Sequence, residues 1–220
     1  EWDSEANGQA GDAVGYNAWI DPGSGLHYLV PGITALDGGR HVVASPWWSN
    51  GATAGVGAVT FAPAAGIAGA VTAATSLVGA TAGDHVGRSL SSVDPYTYGV
   101  IVDSGVVALR SGGTTSYMVR SVDWTSVYGK GDGVAAAGAG AATWVNASNG
   151  HAYGEAGVGA VVSDANSLTG SSAGDGVGGQ SITLQRNVNG SLVPTGDLLL
   201  LSNLAYCGVD GVGSGTVCFG

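Results

Sequence analysis

The chain has 220 residues and a net charge of −10, from 16 acidic and 6 basic residues. The basic residues are dispersed along the sequence, which argues against nucleic acid or an anionic membrane surface as a partner. Hydrophobic residues make up 45% of the chain and glycine 41 positions, so folding is expected, and the glycines lack the three-residue period of collagen.

Short apolar runs of Val, Ala and Leu, separated by Gly, Asp, Asn and Ser, predict short β-strands along the whole chain. None of these runs approaches the ~20 apolar residues of a membrane-spanning helix, so we expect no membrane insertion. Asn-Gly pairs at 7–8, 50–51, 149–150 and 189–190 predict tight turns.

One hexapeptide, Ala-Gly-Asp-x-Val-Gly, occurs three times, at 10–15, 82–87 and 173–178. The first copy is followed by HVVASPWW (41–48), GAVTF (57–61) and GAVTAATSLVG (69–79). The second is followed by SYMVRSVDW (116–124), GAATW (140–144) and GAVVSDANSLTG (159–170), and the third by LLLLSNLAY (198–206) and GTVCF (215–219). A complete unit therefore has the hexapeptide, a strand pair ending near a serine, a Gly-x-x-x-aromatic strand and a Gly-Ala-Val strand.

The hexapeptide aspartates are 72 and 91 residues apart, and each unit has room for four short strands. A repeated antiparallel module of four strands is typical of a β-propeller blade. A β-solenoid is the alternative, although its coils repeat at about 20–30 residues. We predict one all-β repeat domain over residues 1–220, with units at about 6–79, 80–170 and 171–220, the last one incomplete.

The order of AGDxVG, VVASP and GAVTF resembles the FG-GAP repeat of integrin-α-type β-propellers. It looks closest to variant repeats of large bacterial surface proteins and filamentous-haemagglutinin-like adhesins. The resemblance covers the chain from about Ala6 to Gly220 and implies propeller blades and an adhesive role. Valine replaces phenylalanine in the hexapeptide, and the family's Asp-x-Asp-x-Asp-Gly calcium loop is missing, so we predict neither a metal nor another cofactor.

The hexapeptide aspartates, Asp12, Asp84 and Asp175, are interpreted as structural turn residues that accept backbone N–H groups, with flanking glycines supplying left-handed angles. A set of metal-binding or catalytic carboxylates is the alternative. Cys207 and Cys218 lie eleven residues apart, and an even cysteine count in an apparently extracellular chain favours a disulfide over two buried thiols.

Aromatic residues recur after the serine of each unit's second strand, where a propeller would present them on one face. Such rings stack on sugars while neighbouring polar groups bond the hydroxyls. The predicted carbohydrate-binding residues are Trp48, Trp124, Tyr206, Asn50, Asp123 and Asn203. The alternative is that these rings pack between blades. Phe61 and Trp144, in phase with the repeat strand, are predicted to be core residues.

No nucleophile elbow or phosphate-binding loop occurs in the sequence, so we predict no enzyme. We expect instead a structural or adhesive repeat protein, extracellular or at the cell surface, that forms a homo-oligomer or filament or packs against neighbouring repeats. A carbohydrate-binding, lectin-like propeller with a glycan ligand is the alternative.

Overall fold

The computed structural model describes residues 14–20, 27–88, 92–93, 100–101, 104–110, 113–127 and 134–202. Within these ranges the fold is all-β, as the sequence predicts, and the only helical element in them is a short 3-10 turn at Asp37–Gly39. These ranges contain no helix long and apolar enough to cross a membrane.

The strands described are short, and most of them belong to two sheets. In chain order they are β1 (Tyr16–Ile20), β2 (His27–Pro31), β3 (Ile33–Ala35), β4 (His41–Ser45), β5 (Ala58–Ala62), β6 (Ser76–Val78), β7 (Ser92–Val93), β8 (Val100–Ile101), β9 (Val106–Arg110), β10 (Thr114–Ser121), β11 (Ala141–Asn146), β12 (Ala160–Val161), β13 (Ser167–Thr169), β14 (Gln180–Val188) and β15 (Ser191–Leu201). Three antiparallel pairs, β1–β2, β7–β8 and β14–β15, form separate two-stranded sheets.

Two four-stranded antiparallel modules form the body of the fold. Module 1 consists of β3, β4, β5 and β6 paired in that order, and module 2 of β9, β10, β11 and β13. Their registers correspond, because Val42 lies opposite Phe61 in module 1 as Met118 lies opposite Trp144 in module 2. Repeated sequence thus folds into repeated strand pairing.

Hydroxyl pairs at equivalent positions show how closely the two modules correspond. The hydroxyls of Thr60 and Ser76 lie 2.7 Å apart across β5 and β6. Those of Thr143 and Ser167 lie 2.6 Å apart across β11 and β13. Cross-strand hydroxyl pairs of this kind stabilise a sheet and satisfy polar groups that packing removes from water.

The Gly-Ala-Val segments depart from the predicted arrangement. We expected each to form the fourth strand of its own unit, but the fourth strands are β6 and β13, which carry Ser-Leu instead. The segment at 159–161 contributes β12, which pairs in parallel with β6 of module 1. A turn at Ser163–Asn166 separates β12 from β13, so only β13 reaches the edge of its own sheet.

One hydrophobic core is shared by the two modules. It combines Val42, Val59, Phe61 and Leu77 of module 1 with Val106, Tyr117, Val119 and Val145 of module 2. Residues opposite each other in an antiparallel pair share a face, so these sets define one face of each sheet. The modules therefore pack face to face, and all five residues of β5 are buried.

The β14–β15 hairpin begins just after the third hexapeptide. Val188 pairs with Ser191 across a two-residue turn, in which Asn189 and Gly190 have φ of 51° and 85°. Two consecutive left-handed residues are the requirement of a type I′ hairpin turn, which Asn-Gly meets well. The turn predicted at 189–190 is confirmed.

Candidate functional site at the module junction

The second hexapeptide lies where the two modules meet and is bonded to the loop that precedes β5. The His85 N–H donates to the Gly55 carbonyl and the Val86 N–H to the Val56 carbonyl, both at 3.1 Å. Val86 also forms a parallel bridge with Gly57, and its side chain is fully buried. The motif therefore completes the module that comes before it.

The third hexapeptide repeats this arrangement on module 2. The Gly176 N–H donates to the Gly138 carbonyl and the Val177 N–H to the Ala139 carbonyl, both at 3.0 Å. Val177 forms a parallel bridge with Gly140, as Val86 does with Gly57. Repetition of the motif in sequence thus reflects a repeated position in the fold.

The carboxylate of Asp84 closes a turn and also reaches the next module. Its Oδ2 accepts the backbone N–H groups of Ala80 (2.9 Å) and Thr81 (2.8 Å), and its Oδ1 accepts that of Thr125 (3.0 Å). Asp84 is completely buried, and this burial raises its pKa above the usual value although the backbone hydrogen bonds lower it.

Asp175 occupies the same position in the third hexapeptide. Its Oδ2 accepts the N–H groups of Ser171 (2.9 Å) and Ser172 (2.8 Å), which is the same turn-closing geometry. The third aspartate of the series, Asp12, lies outside the described residues.

The last glycine of the hexapeptide is bonded to the module that follows. The Gly87 N–H lies 3.4 Å from the Ser121 hydroxyl, and the Gly15 N–H donates to the Ser45 hydroxyl at 3.0 Å. Ser45 and Ser121 are the serines that end β4 and β10. Each described copy of this contact joins a hexapeptide to the strand pair after it.

Four side chains form a polar cluster at this junction, which we call the junction cluster: Trp47, His85, Arg88 and Asp123. The Nδ1 atom of His85 lies 3.0 Å from Asp123 Oδ2, and the Arg88 guanidinium donates to the same oxygen. The Trp47 ring stacks edge-to-face with the His85 ring at 4.4 Å between centroids, and Arg88 Cζ lies 5.6 Å from the Trp47 ring centroid.

The electrostatics of the junction cluster favour an ionised Asp123. Burial raises the pKa of Asp123, but the hydrogen bond from His85 and the charge of Arg88 outweigh it, so its pKa lies below the usual value. Because Asp123 belongs to module 2 and both partners belong to the hexapeptide segment, the ion pair holds the junction together. Sequence reasoning included Asp123 but missed its partners, although His85 and Arg88 flank the Val-Gly of the motif.

The two predicted ligand-binding tryptophans are core residues. Trp48 is 4% exposed and Trp124 3% exposed, in different core clusters. Each ring follows a turn in which the Trp N–H donates to the carbonyl of Ser45 or Ser121 at 3.1 Å. These turns direct the rings into the interior, which removes the stacking surface that the carbohydrate-binding prediction requires of them.

The remaining predicted ligand-binding residues do not form a site with these rings in the part of the chain that is described. Asn50 is exposed on a turn where its backbone pairs with Thr53, and Asp123 belongs to the junction cluster. Asn203, Tyr206 and the predicted disulfide partners Cys207 and Cys218 lie outside the described residues. Among the described residues, no group of three His, Cys, Asp or Glu side chains could hold a metal ion.

The outer face of module 2 carries two exposed apolar side chains, Trp144 and Leu168, beside the buried side chains of Met118 and Ala142. It lines a groove of about 360 Å³ together with Tyr153 and Leu200. Phe61 is 7% exposed, so its predicted core position is confirmed. Trp144, its equivalent in module 2, is 42% exposed, so that prediction is wrong. Module 2 covers Phe61, whereas no described module covers Trp144.

The family described as a repeat of unknown function (DUF5650) matches residues 35–88 and 108–179, which together exceed half of the chain. Each match begins within the first strand of a module and ends with the hexapeptide and the residue after it. The family repeat therefore groups each hexapeptide with the module before it, and this is the module to which the hexapeptide is hydrogen-bonded. No curated protein sequence and no solved structure matches the chain. The chain belongs to the family of proteins built from the DUF5650 repeat.

Proposed function

We propose that the chain is a non-enzymatic structural or adhesive repeat protein, extracellular or at the cell surface, that assembles with copies of itself or with neighbouring repeats. Its modules are propeller-type blades of the kind that the FG-GAP resemblance implies. Face-to-face packing of two antiparallel modules supports this proposal, because blades of a propeller pack in the same way.

A comparison of equivalent residues in the two modules carries the proposal. Phe61 and Leu77 are 7% and 4% exposed on the face of module 1 that module 2 covers. Their equivalents, Trp144 and Leu168, are 42% and 62% exposed on the outer face of module 2. Large apolar side chains at positions that a following repeat buries elsewhere indicate a surface for another repeat.

The polar groups of the junction support a structural role. The Asp123 carboxylate is engaged by Arg88 and His85, and the Asp84 carboxylate is engaged by three backbone N–H groups. These groups join one repeat to the next. The acidic balance and the scarcity of basic residues support the extracellular location, since they are common in secreted surface proteins.

Light scattering of the whole chain over a range of concentrations tests this function. The average mass should rise with concentration, because the outer face of module 2 recruits another repeat. Trp144→Lys should lower the mass toward that of the monomer. Val188→Lys is the matched control, since Val188 is 41% exposed on the β14–β15 hairpin, and its mass should follow that of the unmodified chain. A monomeric chain at every concentration contradicts self-assembly.

Carbohydrate binding is the second candidate function. The sequence suggested it because of Trp48 and Trp124, whereas in the structure a different ring favours it. Tyr153 is 71% exposed beside Trp144 in the groove on the outer face, with Asp164 and Asn166 nearby. A glycan array with the whole chain tests this candidate. Tyr153→Ala should abolish any glycan signal because it removes a stacking ring, and the absence of any signal contradicts the candidate.

A further inference from the structure

We propose that the loop between β5 and β6 is a proteolytic processing site, which an endoprotease specific for small side chains cleaves while the fold stays intact. The loop, residues 63–70, has the sequence Pro-Ala-Ala-Gly-Ile-Ala-Gly-Ala. The scissile bonds follow Ala64, Ala65 and Ala68, since a serine protease with a small specificity pocket accepts alanine on the acyl side of the cleaved bond. Water adds across the amide bond, which leaves a carboxylate on the alanine and an amino group on the next residue.

The loop is accessible along its length. Residues 63–69 are all exposed, and the largest side chain among them, that of Ile67, is 48% exposed. At Gly66 and Gly69 an added Cβ would meet no described atom within 4 Å, so the backbone also stands clear of the described segments around it. A protease can therefore approach the scissile bonds.

The loop can also adopt the extended form that a protease requires. An endoprotease binds its substrate as a strand, so the loop must leave its own conformation. Local opening costs little free energy where few apolar contacts are buried, and no residue from 63 to 75 is buried. Gly66 and Gly69 have φ of 83° and 107°, and glycine leaves such angles easily because it has no Cβ.

The equivalent loop of module 2 is held more firmly. It follows β11 as the β5–β6 loop follows β5, but Ala147 and Ala152 within it are buried. The Ala147 N–H donates to the Thr115 carbonyl at 3.1 Å, and the Tyr153 N–H donates to the Trp144 carbonyl at 2.9 Å. Opening this loop would break these hydrogen bonds and expose buried alanines. It is therefore the poorer substrate, although it contains the same residue type.

The strands on the two sides of the cut remain bound to each other. Val59 pairs with Leu77 across β5 and β6, and the hydroxyls of Thr60 and Ser76 lie 2.7 Å apart. Strand β12 pairs with β6 on its other side. The core shared by the two modules also contains residues from both sides of the cut. The cleaved chain is therefore two fragments in one fold.

Digestion of the whole folded chain with elastase tests the site. New N-termini should appear at positions 65, 66 or 69, identified by mass spectrometry and N-terminal sequencing. The two fragments should elute at the position of the uncut chain in size-exclusion chromatography and separate only in urea. A digest in which the loop stays intact overturns the assignment of the site. Fragments that separate without urea overturn the retention of the fold.

Two variants with a new trypsin site separate the freedom of the backbone from its exposure. Ile67→Arg places the site in the loop. Ala52→Arg places it in an exposed turn, where Asn50 and Thr53 donate their N–H groups to each other's carbonyls at 3.0 and 3.1 Å. Both substituted side chains are exposed, so both variants should fold. The natural chain has no Lys or Arg from 41 to 87, so a cut at either position is identified by its fragments.

Trypsin should cut at position 67 at least about tenfold faster than at position 52, because the turn must break both hydrogen bonds to open. The rates are measured from the early loss of uncut chain and the mass of the first fragments. Equal rates or the reverse order overturn the inference, since the loop would then be no freer to open than a hydrogen-bonded turn.

Discussion

Asp84 accepts three backbone N–H groups with two carboxylate oxygens, and one of these groups, that of Thr125, belongs to the next module. Asp175 accepts two, both within its own turn. The aspartate of the motif therefore joins two modules at Asp84 but only closes its own turn at Asp175. The difference depends on whether a following module supplies a donor.

We expect Asp84→Ala to lower the free energy of unfolding by about 3 kcal/mol, because buried N–H groups lose their acceptor. Asp175→Ala should cost only about 1 kcal/mol, since its turn is closer to solvent and water replaces the carboxylate. Urea denaturation of both variants measures the difference. Equal costs would mean that the bond from Thr125 contributes no stability.

Asp123 provides a pH-dependent contribution to the junction. Its pKa in the folded chain lies below the value of about 3.9 expected in an unfolded chain. The stabilisation it provides is therefore complete above about pH 4 and is lost as the pH falls through the folded-state pKa. Asp123→Asn should lower the free energy of unfolding by about 1 kcal/mol at pH 7, as for a partly exposed ion pair.

Urea denaturation of the unmodified chain and Asp123→Asn between pH 3 and pH 7 checks this sign. The difference between them should shrink as the pH falls below about 4. Asp197→Asn, on the hairpin away from the junction, controls for the change in net charge. A difference that grows toward low pH would contradict the assigned direction of the pKa shift.

At the scale of elements, the glycines beside the hexapeptide permit close contact between backbones. An added Cβ at Gly57 would lie 2.1 Å from the Val86 nitrogen, and at Gly140 it would lie 2.3 Å from the Val177 nitrogen. Both glycines form the parallel bridges that attach a hexapeptide to its module. The glycine that opens the Gly-x-x-x-aromatic strand is thus required by space as well as by backbone angle.

Gly57→Ala should therefore cost at least about 3 kcal/mol, since the methyl group would displace the hexapeptide. Gly51→Ala is the control, because Gly51 has a similar φ of 61° against 75° but nothing within 4 Å of an added Cβ. Gly51→Ala should lower the free energy of unfolding by only about 1 kcal/mol, which is the penalty for a left-handed backbone at a residue with a Cβ. Thermal or urea unfolding measures the loss of stability in both variants. Similar losses would show that the backbone angle alone determines the need for glycine.

At the scale of the whole molecule, the packing of module 2 against module 1 gives equivalent residues of the two modules different exposures. Phe61→Ala should cost about 3–5 kcal/mol because it leaves a cavity in the core shared by both modules. Trp144→Ala should change the stability of the monomer by less than about 1 kcal/mol, because the ring is 42% exposed. Urea denaturation at low concentration measures both. A large loss in Trp144→Ala would show that the outer face is covered within the chain.

Much of the local structure follows from the printed sequence. Short apolar runs between turn residues predict short strands, and the Asn-Gly pair predicts the turn at 189–190, because these features depend on neighbours within a few residues. The hexapeptide aspartates were interpreted as turn residues for the same reason. Repetition at 72 and 91 residues predicts that the modules are alike.

Features of the candidate site were harder to predict because they depend on distant partners. The position of Trp48 and Trp124 after a serine is visible in sequence, but the direction of each ring is set by the turn geometry and the core around it. His85 joins Asp123 across 38 residues, a pairing that no local spacing indicates.

The sequence by itself determined the all-β class, the repeated module and the turn chemistry, since short apolar runs, glycine angles and side-chain-to-backbone bonds act over short stretches of chain. Only the tertiary structure decided that β12 leaves its own unit to pair with β6, and that Phe61 is buried while Trp144 is exposed. The physical reason is that the residues of an edge strand or an apolar face do not specify which other element will pair with them or cover them. Their pairing and burial are determined by which module lies next to them.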